Sequence, residues 1–168
     1  QGLGTAVLVG REDRIAEVAA FAGVDLEDKG IEIANARISH RNNAYAQFLY
    51  ERLQRQGSLY RDCQRMVHLD RNVFGACMVA LGDADAMVTG LTRSSFVAFG
   101  EVTRVIDPAP GQIVCGLTFL IARGHRTVFI ADTAVNELPT SAELVEIAIA
   151  SARTARQMGH EPRVAFLS

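Results

Sequence analysis

The chain has 168 residues, 49% of them hydrophobic and 21% charged, enough apolar material for one domain with a core and too much for a disordered segment. A formal net charge of −2 argues against a general nucleic-acid surface, which needs a clustered basic excess. No apolar run approaches the roughly 20 residues that span a bilayer, and Gln1-Gly2-Leu3-Gly4 lacks the basic and apolar segments of a secretory signal, so a cytoplasmic location is expected.

Thr5-Ala6-Val7-Leu8-Val9 is a β-branched apolar run of the kind that forms buried parallel strands, and Gly10 ends it. Residues 11–21 then carry Ile15, Val18, Ala19 and Ala22 at helical spacing, closed by Gly23, which completes half of a βαβ unit. Gly10-Arg11 at the turn suits a phosphate, or simply a tight turn beside a solvated arginine. A second strand is predicted at Ile31-Glu32-Ile33-Ala34, entered through Asp28-Lys29-Gly30. The polar loop after it holds Arg37, Ser39, His40 and Arg41, a set that fits either an anion or an ordinary lead into a helix cap.

Residues 43–56 read as a helix with the stripe Tyr45, Phe48, Leu49 and Leu53, stopped by Gly57. A shorter helix follows, with Ser58 as its N-cap and Leu59, Cys63 and Met66 on one side. Asp70 caps a third helix whose inner face is Val73, Phe74, Cys77, Met78 and Leu81, closed by Gly82. The next stretch, residues 83–95, is the centre of the chain's chemistry. A short apolar run, Ala86-Met87-Val88, predicts a buried strand that breaks into Thr89-Gly90-Leu91-Thr92-Arg93-Ser94-Ser95 before helical spacing resumes. A strand feeding a hydroxyl-rich turn into a helix start makes an anion cradle, because the first helical N–H groups are unpaired and the macrodipole favours negative charge. Arg93, among hydroxyl residues at that helix start, is the sharpest candidate ligand residue. Asp83 and Asp85 precede the strand and are assigned a structural role.

Ser94 or Ser95 caps a helix bearing Val97, Gly100 and Val105, up to a break at Asp107-Pro108, Pro110 and Gly111. Residues 113–122 and 126–131 are β-rich runs joined by Arg123-Gly124-His125, which signals an antiparallel hairpin. Asp132 follows the second run. Placed at a strand's carboxyl end, it can orient a nucleophile or accept a proton, or it can cap its own loop; both readings stand open. Thr140-Ser141-Ala142-Glu143 is a capping box before a helix striped by Leu144, Ile147, Ala148, Ser151, Ala155 and Met158, and Gly159 stops it. Residues 163–168 predict a last strand. Ligand loops follow the carboxyl ends of such strands, so the chain reads as a piece of a longer polypeptide.

The expected fold is therefore α/β: a mostly parallel sheet with flanking helices in three layers, plus one antiparallel hairpin. Residues 1–168 are expected to form one partial domain, with a subdomain break near 107–112. Cys63, Cys77 and Cys115 are odd in number and scattered, as reduced thiols are, and the four histidines show no zinc spacing, so no metal site is expected. No Gly-x-Ser-x-Gly elbow, Walker loop or Rossmann fingerprint is present.

Several stretches resemble the phosphate acetyl/butyryl transferase family. They are Gly82-Asp83-Ala84-Asp85-Ala86-Met87-Val88-Thr89-Gly90, Ala131-Asp132-Thr133-Ala134-Val135-Asn136, and Glu146-Ile147-Ala148-Ile149-Ala150-Ser151-Ala152 with its continuation from Gly159 to Ser168. Within the family the chain is most similar to the transferase-like C-terminal domain of bacterial NADP-dependent malic enzymes. That likeness rests on Glu32-Ile33-Ala34-Asn35-Ala36-Arg37, Leu49-Tyr50-Glu51-Arg52-Leu53-Gln54-Arg55, Asp70-Arg71-Asn72 and the Thr92-Arg93 pair. Active transferases tend to carry Ser-Gly-Ala and paired hydroxyls on the loop and an Arg-Pro in the next helix. Here the loop reads Thr-Gly-Leu-Thr-Arg, and Val102-Thr103-Arg104-Val105 has no proline.

The resemblance implies a phosphotransacetylase-like domain that senses acetyl-CoA and supports assembly of a homo-oligomeric enzyme. Its candidate sites for acetyl-CoA or phosphate are Thr89, Gly90, Thr92, Arg93, Ser94, Ser95 and Asp132, and no catalytic residue is assigned. No cofactor is implied for this segment. NADP, a divalent metal and the oxidative decarboxylation of malate would belong to an N-terminal part of the same polypeptide, of which these residues show neither a dinucleotide fold nor metal carboxylates. The alternatives are an active phosphate acetyltransferase, moving acetyl between CoA and phosphate, and a purely structural oligomerisation module.

Overall fold

In the computed structural model, which describes residues 4–26, 30–124 and 126–167, the chain divides into two units, Gln1–Asp107 and Pro108–Ser168. In the first, β1 (Val7–Val9) and β2 (Glu32–Ala34) run parallel, with Val7 opposite Glu32 and Val9 opposite Ala34. The helix between them, α1 (Glu12–Phe21), is the expected crossover. The predicted entry to β2 through Asp28 and Lys29 lies outside the described residues.

The core of this unit is helical. It is made by α2 (Asn42–Leu53), α3 (Tyr60–Leu69) and α4 (Arg71–Ala80), with a single 3₁₀ turn, Gln54–Gln56, closing α2. Tyr45, Leu49, Cys63, Val67, Val73, Phe74 and Cys77 are all essentially fully buried, and the rings of Tyr45 and Phe74 meet edge to face at 5.2 Å. The helical spacing of apolar residues identified α2 and α4 correctly. In α4 every residue from Val73 to Met78 is buried, as expected of a helix apolar on all sides. Gly57 sits at φ +90° and Gly82 at φ +76°, left-handed positions that end a helix without a Cβ penalty.

Two details differ from expectation. The N-cap of α3 is Leu59, not Ser58: its N–H is taken by the Asp62 carboxylate at 3.1 Å, so the side-chain partner comes from inside the helix. Leu59 itself remains half exposed, and Val67 fills the inner face in its place. The second difference is larger. Residues 86–88 do not form a strand, because no described segment runs alongside to complete a ladder. Met87 instead packs against the core at Gly75 of α4, and Val88 is left fully exposed. The last helix of the unit, α5 (Ser95–Thr103), is capped by Ser94, one of the two candidates, its hydroxyl accepting from Val97 N at 3.4 Å.

In the second unit, β3 (Leu117–Ala122) and β4 (Arg126–Ala131) form the expected antiparallel hairpin, with Leu117 opposite Ala131 and Phe119 opposite Phe129. The Phe119 and Phe129 rings meet at 4.9 Å. The ladder begins at Leu117 rather than at residue 113. The partner strand ends at Ala131, and beyond it Gly116 N bonds a side chain, not a strand. Of the strand predicted at 163–168, residues 163–167 have no ladder partner among the described residues, and Phe166 and Leu167 stay exposed; Ser168 lies outside the described residues. The capping box of α6 (Ser141–Gln157) is present in full: Thr140 Oγ1 accepts from Glu143 N, and the Glu143 carboxylate accepts from Thr140 N at 2.7 Å. Those bonds hold the Glu143 carboxyl below its ordinary range. Ile147 and Ala155 are the residues of its stripe that become buried; Leu144 and Met158 do not. Thr140→Ala should destabilise α6 by about 1 kcal/mol, seen as roughly fivefold faster amide exchange along the helix.

The fold is thus α/β, with six α-helices, one parallel and one antiparallel strand pair among the described residues. No helix among the described residues is long and apolar enough to cross a membrane.

Candidate functional site

The predicted anion loop lies between α4 and α5, and side-chain bonds fasten it to both. Thr89 Oγ1 donates to Asn72 Oδ1 at 2.5 Å. Asn72 Nδ2 donates in turn to Glu101 Oε2 at 2.6 Å, and Glu101, on α5, is almost fully buried. Arg93 Nη1 reaches two carboxylates, Asp70 Oδ2 at 2.8 Å and Glu101 Oε1. Asp70 also caps α4, its Oδ1 accepting from Asn72 N at 2.9 Å and Val73 N at 3.3 Å. One chain of bonds therefore links the start of α4, the loop and the middle of α5. Two buried or half-buried carboxylates face one guanidinium, and the amide of Asn72 bridges the remainder.

Glu101 was not singled out in the sequence. A signal was there: it sits three residues from Ala98 and four from Val105, both buried, so a carboxylate on that side of α5 must find a partner. The loop tip is tightly turned. Thr92 N donates to Gly90 O at 2.7 Å around Leu91, which has φ +60°, and Gly90 has φ +152°. Leu91 projects entirely into solvent. The hydroxyl of Ser94 is occupied in capping, and Ser95 is the first residue of α5.

Asp83 is bonded to Arg41 and to Tyr45 of α2, although the strand on which its structural assignment rested does not form. Its Oδ2 accepts from Tyr45 OH at 2.6 Å and from Arg41 Nε at 2.8 Å. The Tyr45 bond, then the Arg41 bond, draw the Asp83 carboxyl below its ordinary range. Burial, reinforced by Asp83, pushes the Tyr45 phenol up to about 12.

A cleft of about 930 Å³ opens at the carboxyl ends of β1 and β2. The apolar stripe of α1 (Ile15, Val18, Ala19 and Ala22) lines it, as do Arg11, Arg14, Arg37 and Arg71. Thr92 is the residue of the predicted loop that reaches it.

Asp132 belongs to the second unit. Its Oδ1 accepts from Gly116 N at 2.6 Å and Val135 N at 3.3 Å; its Oδ2 accepts from Asn136 N at 2.8 Å and Asn136 Nδ2 at 2.6 Å. Burial pushes the carboxyl up, but the donors from Gly116, Asn136 and Val135 together outweigh it and hold the group below its ordinary range. This is the loop-capping alternative, realised on both oxygens. A Cβ on Gly116 would lie 2.7 Å from Thr133 Oγ1, which explains the glycine.

The sequence profile of the phosphate acetyl/butaryl transferase family matches residues 1–168. The chain belongs to that family. Among its relatives, an NADP-dependent malic enzyme of Rhizobium meliloti (strain 1021) is 55% identical over 168 residues, covering 100% of this chain and 22% of that protein. A phosphate acetyltransferase of Synechocystis is 30% identical over 167 residues, covering 99% of this chain and 24% of its own length. This member of the transferase family thus spans about a fifth to a quarter of the length of these relatives. The EutD phosphotransacetylase from Staphylococcus aureus shares the fold, with a TM-score of 0.73 at 24% identity over 94% of this chain and 47% of that one.

Proposed function

We propose that this phosphate acetyl/butyryl transferase-family chain is the acetyl-CoA-sensing regulatory domain of a cytoplasmic NADP-dependent malic enzyme. Malate oxidation, NADP and a divalent metal would belong to another part of the polypeptide, whose assembly this domain supports. One observation carries the reading: the polar groups of the loop are already held by other protein groups. The Thr89 hydroxyl is held by Asn72, the Ser94 hydroxyl accepts the cap bond of α5, and Arg93 Nη1 is fixed by Asp70 and Glu101. Arg93 Nε and Nη2 make no bond to the described residues, so a pre-oriented guanidinium edge remains for a phosphate of acetyl-CoA. In this proposal Gly90 and Thr92 shape the turn around that phosphate, and Ser95 and the start of α5 add backbone donors. Asp132 takes part by fixing the loop after β4, not as a proton acceptor.

The alternative, an active phosphate acetyltransferase, is favoured by the likeness to such enzymes over nearly the whole chain. Two assays on the full-length protein separate them. Acetyl-CoA titrated against malate oxidation should change the rate saturably, while acetyl phosphate formation from acetyl-CoA and phosphate stays at background. Sustained acetyl phosphate production would replace the regulatory reading with the transferase one, and malate oxidation indifferent to acetyl-CoA would remove the sensor.

A further inference from the structure

The helical spacing of Ile15, Val18, Ala19 and Ala22 marks one side of α1 for burial, yet no residue of α1 is buried and Val18 is 58% exposed. That stripe faces the cleft at the carboxyl ends of β1 and β2, and Leu8, Val9, Ile31 and Leu69 line it as well. An apolar wall is therefore left open in a cleft of about 930 Å³, within the range of roughly 300–1,000 Å³ that small-molecule sites occupy.

The charge of the lining is one-sided. Arg11, Arg14, Arg37 and Arg71 line the cleft and, among the described residues, no Asp or Glu does, although the whole chain carries a net charge of −2. Arg11 and Arg14 lean on Asp13 and Glu17 of their own helix. Arg37 and Arg71 have no ion pair and no side-chain hydrogen bond among the described residues. Unpaired guanidiniums beside an apolar wall recognise a phosphate joined to a flat or apolar body. Arg37 follows the carboxyl end of β2, the end of a parallel sheet at which open α/β folds receive phosphorylated ligands.

We propose that this cleft binds a nucleoside phosphate, with Arg37 and Arg71 on the phosphate and the α1 stripe against the base, as a site that adjoins the acetyl-CoA loop at Thr92 but is distinct from the Arg93 phosphate contact. The test titrates ADP, adenosine and inorganic phosphate into the full-length protein by calorimetry, with NADP+ saturating to occupy any dinucleotide site. ADP should bind at least tenfold more tightly than either fragment, and less tightly as salt rises. Arg37→Ala/Arg71→Ala should weaken ADP at least tenfold, with partial recovery in Arg37→Lys/Arg71→Lys. Both positions are exposed, so these substitutions leave the core untouched. Val18→Glu, which places a carboxylate on the wall, should abolish ADP binding while circular dichroism stays unchanged. Equal ADP affinity in wild type and Arg37→Ala/Arg71→Ala overturns the proposal, and so does inorganic phosphate binding as tightly as ADP. Acetyl-CoA control of malate oxidation should survive in the arginine variant; its loss would overturn the claim of a distinct site.

Discussion

Arg93→Ala is expected to lower the folding stability of the full-length protein's transferase-like domain by about 3 kcal/mol, the low end of what breaking a buried ion pair costs. The reason lies in Glu101 rather than in the arginine. The Glu101 side chain is 8% exposed and the Arg93 side chain 40%, so the substitution removes the partly solvated partner and leaves the buried one. Asn72 Nδ2 still donates to Glu101 Oε2, but Oε1 loses the charged donor it has among the described residues. Asp70 suffers less, because its Oδ1 continues to cap α4. Glu101→Gln keeps the shape and removes the charge, and should cost clearly less than Arg93→Ala. In that background Arg93→Ala should cost about 1 kcal/mol, giving a coupling of about 2 kcal/mol in urea unfolding. Additive single-variant effects would show that the pair is not coupled. The cycle also bears on function, since any loss of acetyl-CoA response in Arg93→Ala then has to be compared with Glu101→Gln, which disturbs the anchor without removing the guanidinium.

The helices were legible because their signals are local. Leucine, tyrosine and phenylalanine at spacings of three and four identified α2 and α4, glycines at left-handed φ marked the stops, and Asp70 and Thr140 announced the caps within three residues of the groups they bind. The hairpin was legible for the same reason, its turn and both strands lying in one stretch of sequence. Strands predicted at 86–88 and 163–167 do not form among the described residues, because β-rich composition says that a segment tolerates extension and nothing about whether a neighbour supplies a ladder. Within the site, Arg93 was found from residue type, but its partner Asp70 lies 23 residues away and only the fold brings them together. The α1 stripe was read as helical, correctly, while the cleft it faces depends on β1, β2 and the ends of α3 and α4. Periodicity identifies the apolar side of a helix; it does not say what covers it.

Asp132 shows the same limit from the other side, and it carries the second large prediction. Asp132→Ala should destabilise the second unit by about 3 kcal/mol at neutral pH, because it strands the N–H groups of Gly116, Val135 and Asn136 in a half-buried loop, at roughly 1 kcal/mol each. The effect has a definite pH dependence. The folded carboxyl titrates below its unfolded value of about 3.9, so its stabilisation is complete above that value and is lost as pH falls through the folded one. The gap between wild type and Asp132→Ala in urea unfolding should therefore be full at pH 7 and narrow below about pH 4. Asp132→Asn supplies the control: it fills the same space, presents an amide to N–H donors on one side, and should cost about 2 kcal/mol at neutral pH. A gap that stayed constant down to pH 3 would mean that shape, not the ionised carboxylate, organises this loop. The narrowing separates the loop-organising role from a proton-accepting one, because a general base would need a carboxyl titrating nearer neutrality, whereas four donors on two oxygens move this one the opposite way.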